Sequence, residues 1–175
     1  MMKQNGIKKM AIAALFSALV CVATMIVLAT FPSGGYIHLG DTFVLLAGYM
    51  LGPLWGSAAA AVGSALTDLI LGAPQYIAAT FVVKGLVATV AYYVMRAVRG
   101  SRGRLGILGY IAGGIAGELV MTAGYFLYEC FLYGIAGAAA AIPFNLIQGA
   151  AGIVLSSILI TPLMKIRYIK NTLND

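Results

Sequence analysis

Charge is what this sequence has least of. Only 9% of the 175 residues are Asp, Glu, Lys or Arg while 62% are hydrophobic, against about 25% charged and about 45–50% apolar in soluble domains. The mean hydropathy is +0.98. A soluble globular domain is excluded, and so is a disordered charged tail. Histidine is nearly missing as well, with His38 the single example. No HExxH, nucleophile elbow or Walker A glycine loop is present, so the chain has neither hydrolytic machinery nor the means to use ATP. The expectation is a protein that is not an enzyme and needs no cofactor or metal. The two cysteines, Cys21 and Cys130, lack any CxxC or Cys/His spacing and read as small packing groups. The 22 glycines follow no collagen period.

What is present is a succession of apolar runs. A bilayer-spanning helix needs about 20 residues, and hydropathy divides the chain into six segments, at about 10–31, 39–51, 54–71, 76–98, 105–133 and 142–164. The fold class is therefore an all-α polytopic membrane protein, a single transmembrane domain over 1–175 with no room for a soluble module. The run from Met10 to Phe31 is too long for a signal peptide and lacks a cleavage site, so it reads as a retained first helix. It closes on Pro32-Ser33-Gly34-Gly35, the third segment on Gly72-Ala73-Pro74, and the connection at 134–141 is Gly/Ala-rich.

The net charge of +6 comes from 11 basic residues, arranged at the ends of the runs and not as a nucleic-acid stripe. If all six segments cross, Lys3, Lys8, Lys9, Arg96, Arg99, Arg102, Arg104, Lys165, Arg167 and Lys170 fall on one side, and the loops at 32–38, 72–75 and 134–141 carry none. The positive-inside rule then makes both termini cytoplasmic. Lys84 is the exception, inside the fourth segment.

Charged groups in hydrocarbon cost roughly 2.5–3.5 kcal/mol on insertion scales, so each needs a reason. Asp41, Asp68, Lys84, Glu118, Glu129, Asn145 and Gln148 all lie in apolar segments, biased toward the outer side. Tyr76, Thr80 and Lys84 share one helical face, as do Glu118, Thr122, Tyr125 and Glu129, and Asn145 aligns with Gln148. Three polar stripes that cannot face lipid converge on a pocket open to the external medium. Tyr36, His38, Tyr128 and Tyr133 sit at its mouth. Structural readings stand beside this one: Lys84 as an ion-pair partner of Asp68 or Glu118, His38 and Asp41 as caps, Asn145 as a helix-start hydrogen bonder, and Tyr92, Tyr93 and Tyr168 as interfacial belt residues. Ala14 and Ala18, and Gly56, Ala60 and Ser64, place small residues four apart, which allows close helix approach. A capture protein without an engine requires a partner.

The ordered set Ala14-Leu-Phe-Ser-Ala18, Tyr36-Ile-His-Leu-Gly-Asp41, Leu51-Gly-Pro-Leu-Trp-Gly56 through Ala65-Leu-Thr-Asp68, Lys84-Gly85 and Pro143-Phe-Asn145-Leu-Ile-Gln148-Gly149 resembles the substrate-binding S components of energy-coupling factor (ECF) vitamin transporters. The resemblance covers essentially the whole chain. It implies a six-helix vitamin receptor of the prokaryotic cell membrane, serving a coupling subunit in the membrane and two cytoplasmic ATPases. It implies docking through Ala14 and Ala18, and release by rotation of the loaded body in the bilayer. Within that family the pattern is most similar to the branch for hydroxymethylpyrimidine, the thiamine precursor, or pyridoxine, with riboflavin a close alternative. The site residues expected to contact the vitamin are Lys84, Glu118, Tyr125, Asn145, Gln148, His38, Asp41, Asp68, Tyr76 and Glu129. An autonomous small-solute carrier or a structural membrane subunit remain as readings of another class.

Overall fold

A computed structural model describes residues 2–30, 36–99 and 106–165. The turn cluster at Pro32–Gly35, the basic residues Arg102, Arg104, Arg167 and Lys170, and Tyr168 lie outside the described residues, as does the side chain of Lys3. Four long helices dominate: α1 (Met2–Met25), α2 (Gly40–Ile70), α3 (Ile77–Arg99) and α4 (Gly106–Leu163). All four are long and apolar enough to cross a membrane. Two short strands, β1 (Val27–Thr30) and β2 (Tyr36–His38), pair antiparallel between α1 and α2. A single 3₁₀ turn, Pro74–Tyr76, leads into α3.

Two of the four helices are not straight rods. At 1.5 Å per residue, the 58 residues of α4 would extend about 87 Å, nearly three bilayer cores. Its course breaks at Gly134 (φ 74°, ψ 171°), and α2 breaks at Gly52 (φ 78°, ψ −174°). Both breaks need a left-handed φ that glycine adopts without a Cβ clash, and Pro53 then restarts the helix where no amide donor is required. The chain doubles back at each. Gly149 packs on the Glu118 side chain and Gly114 on Ile153, pairs placed symmetrically about Gly134 that a straight helix would hold tens of ångströms apart. Gly56 likewise packs on the backbone of Ala47 and Gly48 across Gly52.

Several expected boundaries are corrected. The first helix ends at Met25 and not at Phe31, and Val27–Thr30 form a strand. Apolar residues continue across this point, so hydropathy does not register the change. The Gly/Ala-rich stretch at 134–141, expected as a loop, is helical apart from the break at Gly134. Alanine is the strongest helix former, and its run carries the second arm of α4 back to residue 135. Asn145 and Gln148 therefore lie within that arm and do not open it.

The distribution of polarity is inverted relative to a soluble protein. Among the described residues, Phe131, Ile135 and Leu54 are the most exposed large apolar side chains, whereas Lys84, Asp41, Glu118 and Glu129 are buried. Lipid accepts the first set, and the bundle interior must satisfy the second. Helices come close where glycine removes the side chain. A Cβ on Gly48 would stand 2.5 Å from the Ala88 carbonyl oxygen, so α2 and α3 pack there backbone to backbone. Gly48→Ala should lower stability in detergent by about 1–3 kcal/mol through overpacking. Gly6→Ala, inside α1 with nothing within 4 Å of the new methyl, should leave the thermal midpoint no lower and raise it slightly, because alanine favours the helix.

Candidate functional site

The site is assembled at the end of the bundle where α1 and α2 meet the hairpin. α2 closes in a Schellman motif: the Ala73 amide donates to the Asp68 carbonyl (2.8 Å), the Gly72 amide to Leu69 (3.4 Å), and Gly72 takes φ 74°. That cap fixes Asp68 in the last turn. Pro74 then starts the 3₁₀ turn that delivers Tyr76, and the i, i+4 spacing carries Thr80 and Lys84 down the same face of α3. Tyr125 and Glu129 come from the first arm of α4, Asn145 and Gln148 from the second, Tyr36 and His38 from β2. Together with Thr24 and Ser64 these residues line one cavity. Its empty volume is about 490 Å³, including space open to the outside.

Eight of the ten expected site residues thus share a wall: Lys84, Tyr125, Asn145, Gln148, His38, Asp68, Tyr76 and Glu129. Asp41 and Glu118 do not line the cavity, which corrects their expected placement. Asp41 sits behind it, because it is the ion-pair partner of Lys84. Neither Asp68 nor Glu118, the partners anticipated for Lys84, takes that bond. The network extends outward. Gln148 Nε2 donates to Asp41 Oδ2 (2.6 Å), the His38 amide donates to Gln148 Oε1 (3.1 Å), and the Lys84 ammonium also reaches Met121 Sδ (3.0 Å). One buried ion pair therefore joins α2, α3, the second arm of α4 and the hairpin. Glu118 is buried against Gly149, and neither of its oxygens has a hydrogen-bond partner among the described residues.

The hairpin is pinned a second time, where the Tyr36 hydroxyl donates to Asp68 Oδ1 (2.9 Å). Burial, reinforced by that carboxylate, pushes the Tyr36 phenol up, so it remains a donor. The His38 imidazole accepts the Gly40 amide at Nδ1 (3.0 Å). Burial pulls His38 down to about 4, the opposing pull of Asp41 being smaller, so the ring is neutral at ordinary pH. Farther out, the Tyr76 hydroxyl donates to Glu129 Oε1 (3.1 Å), lying 3.4 Å from the Tyr133 hydroxyl, and Tyr125 donates to Thr80 (3.1 Å). The Tyr128 hydroxyl is spent on the Gln75 carbonyl. Asn145 is 7% exposed and lines the cavity.

Thr24 and Ser64 were not anticipated. Thr24 lies within what reads as an uninterrupted apolar helix, and Ser64 reads as one of a series of small packing residues. Both hydroxyls are buried without a hydrogen-bond partner among the described residues, as are Asp68 Oδ2 and Glu129 Oε2. Among the described residues no group of three or more His, Cys, Asp or Glu side chains could hold a metal ion. Breaking one side of the central pair leaves an uncompensated buried charge, a loss of about 3–5 kcal/mol. Lys84→Met and Asp41→Asn should each destabilise by that order. The double variant should recover most of the loss, read as thermal midpoints in a double-mutant cycle.

Comparison with known proteins agrees with this architecture. The family model described as "ECF-type riboflavin transporter, S component" matches residues 4–165. A Pyrococcus woesei protein described as "Uncharacterized protein in gap 3'region" is 36% identical over 137 residues, spanning 78% of this chain and 88% of that protein. Among solved structures, the S component of a bacterial ECF transporter superposes with a TM-score of 0.69 at 25% identity, covering 90% of this chain and 96% of that one. The matching family and the solved structure are transporter S components, not enzymes. The chain is a multi-pass membrane protein, and it belongs to the family of ECF-type riboflavin transporter S components.

Proposed function

We propose that this chain is the substrate-capturing subunit of an ECF importer for a small water-soluble vitamin, binding one ring-shaped molecule from the external medium. The observation that carries this reading is the cavity itself, one space lined by polar side chains from α2, α3, both arms of α4 and the hairpin, among them Asp68, Lys84, Glu129, Asn145 and Gln148. Buried polar atoms are costly unless something completes them, and Thr24 Oγ1, Ser64 Oγ, Asp68 Oδ2 and Glu129 Oε2 have no hydrogen-bond partner among the described residues. Asn145 supplies a polar edge and Tyr125 a ring against which a planar ligand stacks.

Hydroxymethylpyrimidine or pyridoxine is the first reading, because a small ring bearing hydroxymethyl and amine groups suits the carboxylate and amide acceptors in the lining. Riboflavin is the second reading, favoured by the description of the matching family. With the reversals at Gly52 and Gly134 counted as turns between crossings, the chain makes six passes. Lys8, Lys9, Arg96, Arg99 and Lys165 then lie away from the cavity, and the positive-inside rule sets both termini in the cytoplasm of a prokaryotic cell.

The partner would be an ECF module of one coupling subunit in the membrane and two cytoplasmic ATPases. An apolar groove between α1 and the second arm of α2 supports this, lined by Ala14 and Ala18 together with Met10, Trp55 and Leu66. Small residues four apart let a foreign helix approach closely. The loaded body would then rotate to present its ligand inward.

Two outcomes test the division of labour. Asn145→Ala should weaken vitamin binding by the purified chain at least tenfold and leave assembly with the ATPase subunits intact, measured by isothermal titration and copurification. Ala14→Trp or Ala18→Trp should abolish uptake in cells while binding by the isolated chain persists. The reverse pattern would overturn both assignments.

A further inference from the structure

The charges around the cavity do not balance. Among the described residues, Lys84 is the only cationic side chain in its lining, and Asp41 already neutralises it. His38 is neutral at ordinary pH. On the other side stand Asp68 and Glu129, 5% and 3% exposed. Each uses one carboxyl oxygen, toward Tyr36 and Tyr76 respectively, and each leaves its second oxygen buried without a hydrogen-bond partner among the described residues. Thr24 and Ser64 add two more unpaired hydroxyls. An unpaired carboxylate in a medium of low dielectric is expensive, and here two occur in one cavity.

The aromatic surroundings point the same way. Tyr76 is flanked edge-on by Tyr125 and Tyr128, with ring centroids 6.4 and 5.6 Å apart. The Lys84 ammonium already stands 5.5 Å from the centre of the Tyr125 ring, so that π-face is placed where a cation can use it. Tyrosine faces around carboxylates provide for a positively charged, planar guest.

We propose that the ligand binds as a small aromatic cation, its protonated or quaternary ring nitrogen and amine hydrogens held by Asp68 and Glu129 between the tyrosine rings. This rests on the vitamin-receptor reading and narrows it to the class of basic heteroaromatic rings. A neutral flavin would bring no charge to either carboxylate.

The test uses the full-length chain purified in detergent, titrated with 4-amino-5-hydroxymethyl-2-methylpyrimidine, pyridoxine and riboflavin. The expected result is tighter binding of at least one basic ring than of riboflavin. Asp68→Asn and Glu129→Gln should each weaken that binding at least tenfold, with thermal midpoints confirming folded variants. Should either variant fail to fold, the ranking of the three probes on the wild-type chain decides. Tighter binding of riboflavin than of both basic rings, or affinities unmoved in both folded variants, would overturn the inference and leave the vitamin-receptor reading standing. Failure of the folded wild-type chain to bind any of the three would overturn that reading, and this inference with it.

Discussion

The ion pair between Lys84 and Asp41 is the constraint around which the rest of the structure is arranged. An ammonium inside a bilayer must find an anion, and the anion it finds lies on another helix. Lys84 is on α3 and Asp41 opens α2, so the two helices are bound to one register at the level of the pair. Gln148 bridges Asp41 to the His38 amide and brings the second arm of α4 and the hairpin to the same point. Removing the pair as a unit is less disruptive than removing half of it, because half leaves a naked charge. Its role is thus geometric: it specifies which arms meet, and the cavity forms above it.

The reversals at Gly52 and Gly134 make that meeting possible. Each turns the chain back on itself at one glycine, with helix on both sides, so that little main chain is left outside helical hydrogen bonding at the turn. The return of α4 brings Asn145 and Gln148 back beside Tyr125 and Glu129, from positions that a straight helix would carry far out of reach. Close backbone contacts such as Gly48 on Ala88 then draw the arms together without a hydrophobic driving force.

This explains what was legible in the sequence and what was not. Intramembrane polar residues announce themselves because lipid makes them costly, so Lys84, Asn145 and Gln148 could be singled out from hydropathy alone, and the helical period put Tyr76, Thr80 and Lys84 on one face. Which polar group pairs with which could not be read. Asp41, Asp68 and Glu118 are equivalent acceptors along a linear chain, and only arm-to-arm packing places Asp41 at the ammonium and leaves Glu118 unpaired against Gly149. The hairpin was hidden for a related reason: Val27 to Thr30 are as apolar as the helix before them. Strand pairing with Tyr36–His38 is a contact between segments, to which hydropathy is blind. Thr24 and Ser64 are small and weakly polar, and acquire significance only beside Asp68 and Glu129.

The cavity and the proposed docking groove are built from different surfaces of shared helices, which bears on how capture and delivery can be separate steps. α1 contributes Thr24 to the cavity at its last turn and Ala14 and Ala18 to the groove about two turns earlier. The second arm of α2 contributes Ser64 and Asp68 to one, and Trp55, Val62 and Leu66 to the other. The two helices are locked together between these surfaces by the Thr67 hydroxyl, which lies 3.3 Å from the Cys21 carbonyl, and by Gly63 against Ser17. On the proposed function, a ligand on one face of this wall and a partner on the other would be coupled only if the wall tilted as a body. Such a tilt would exchange hydrocarbon contacts of the apolar exterior for similar ones while the Lys84–Asp41 pair stays intact inside.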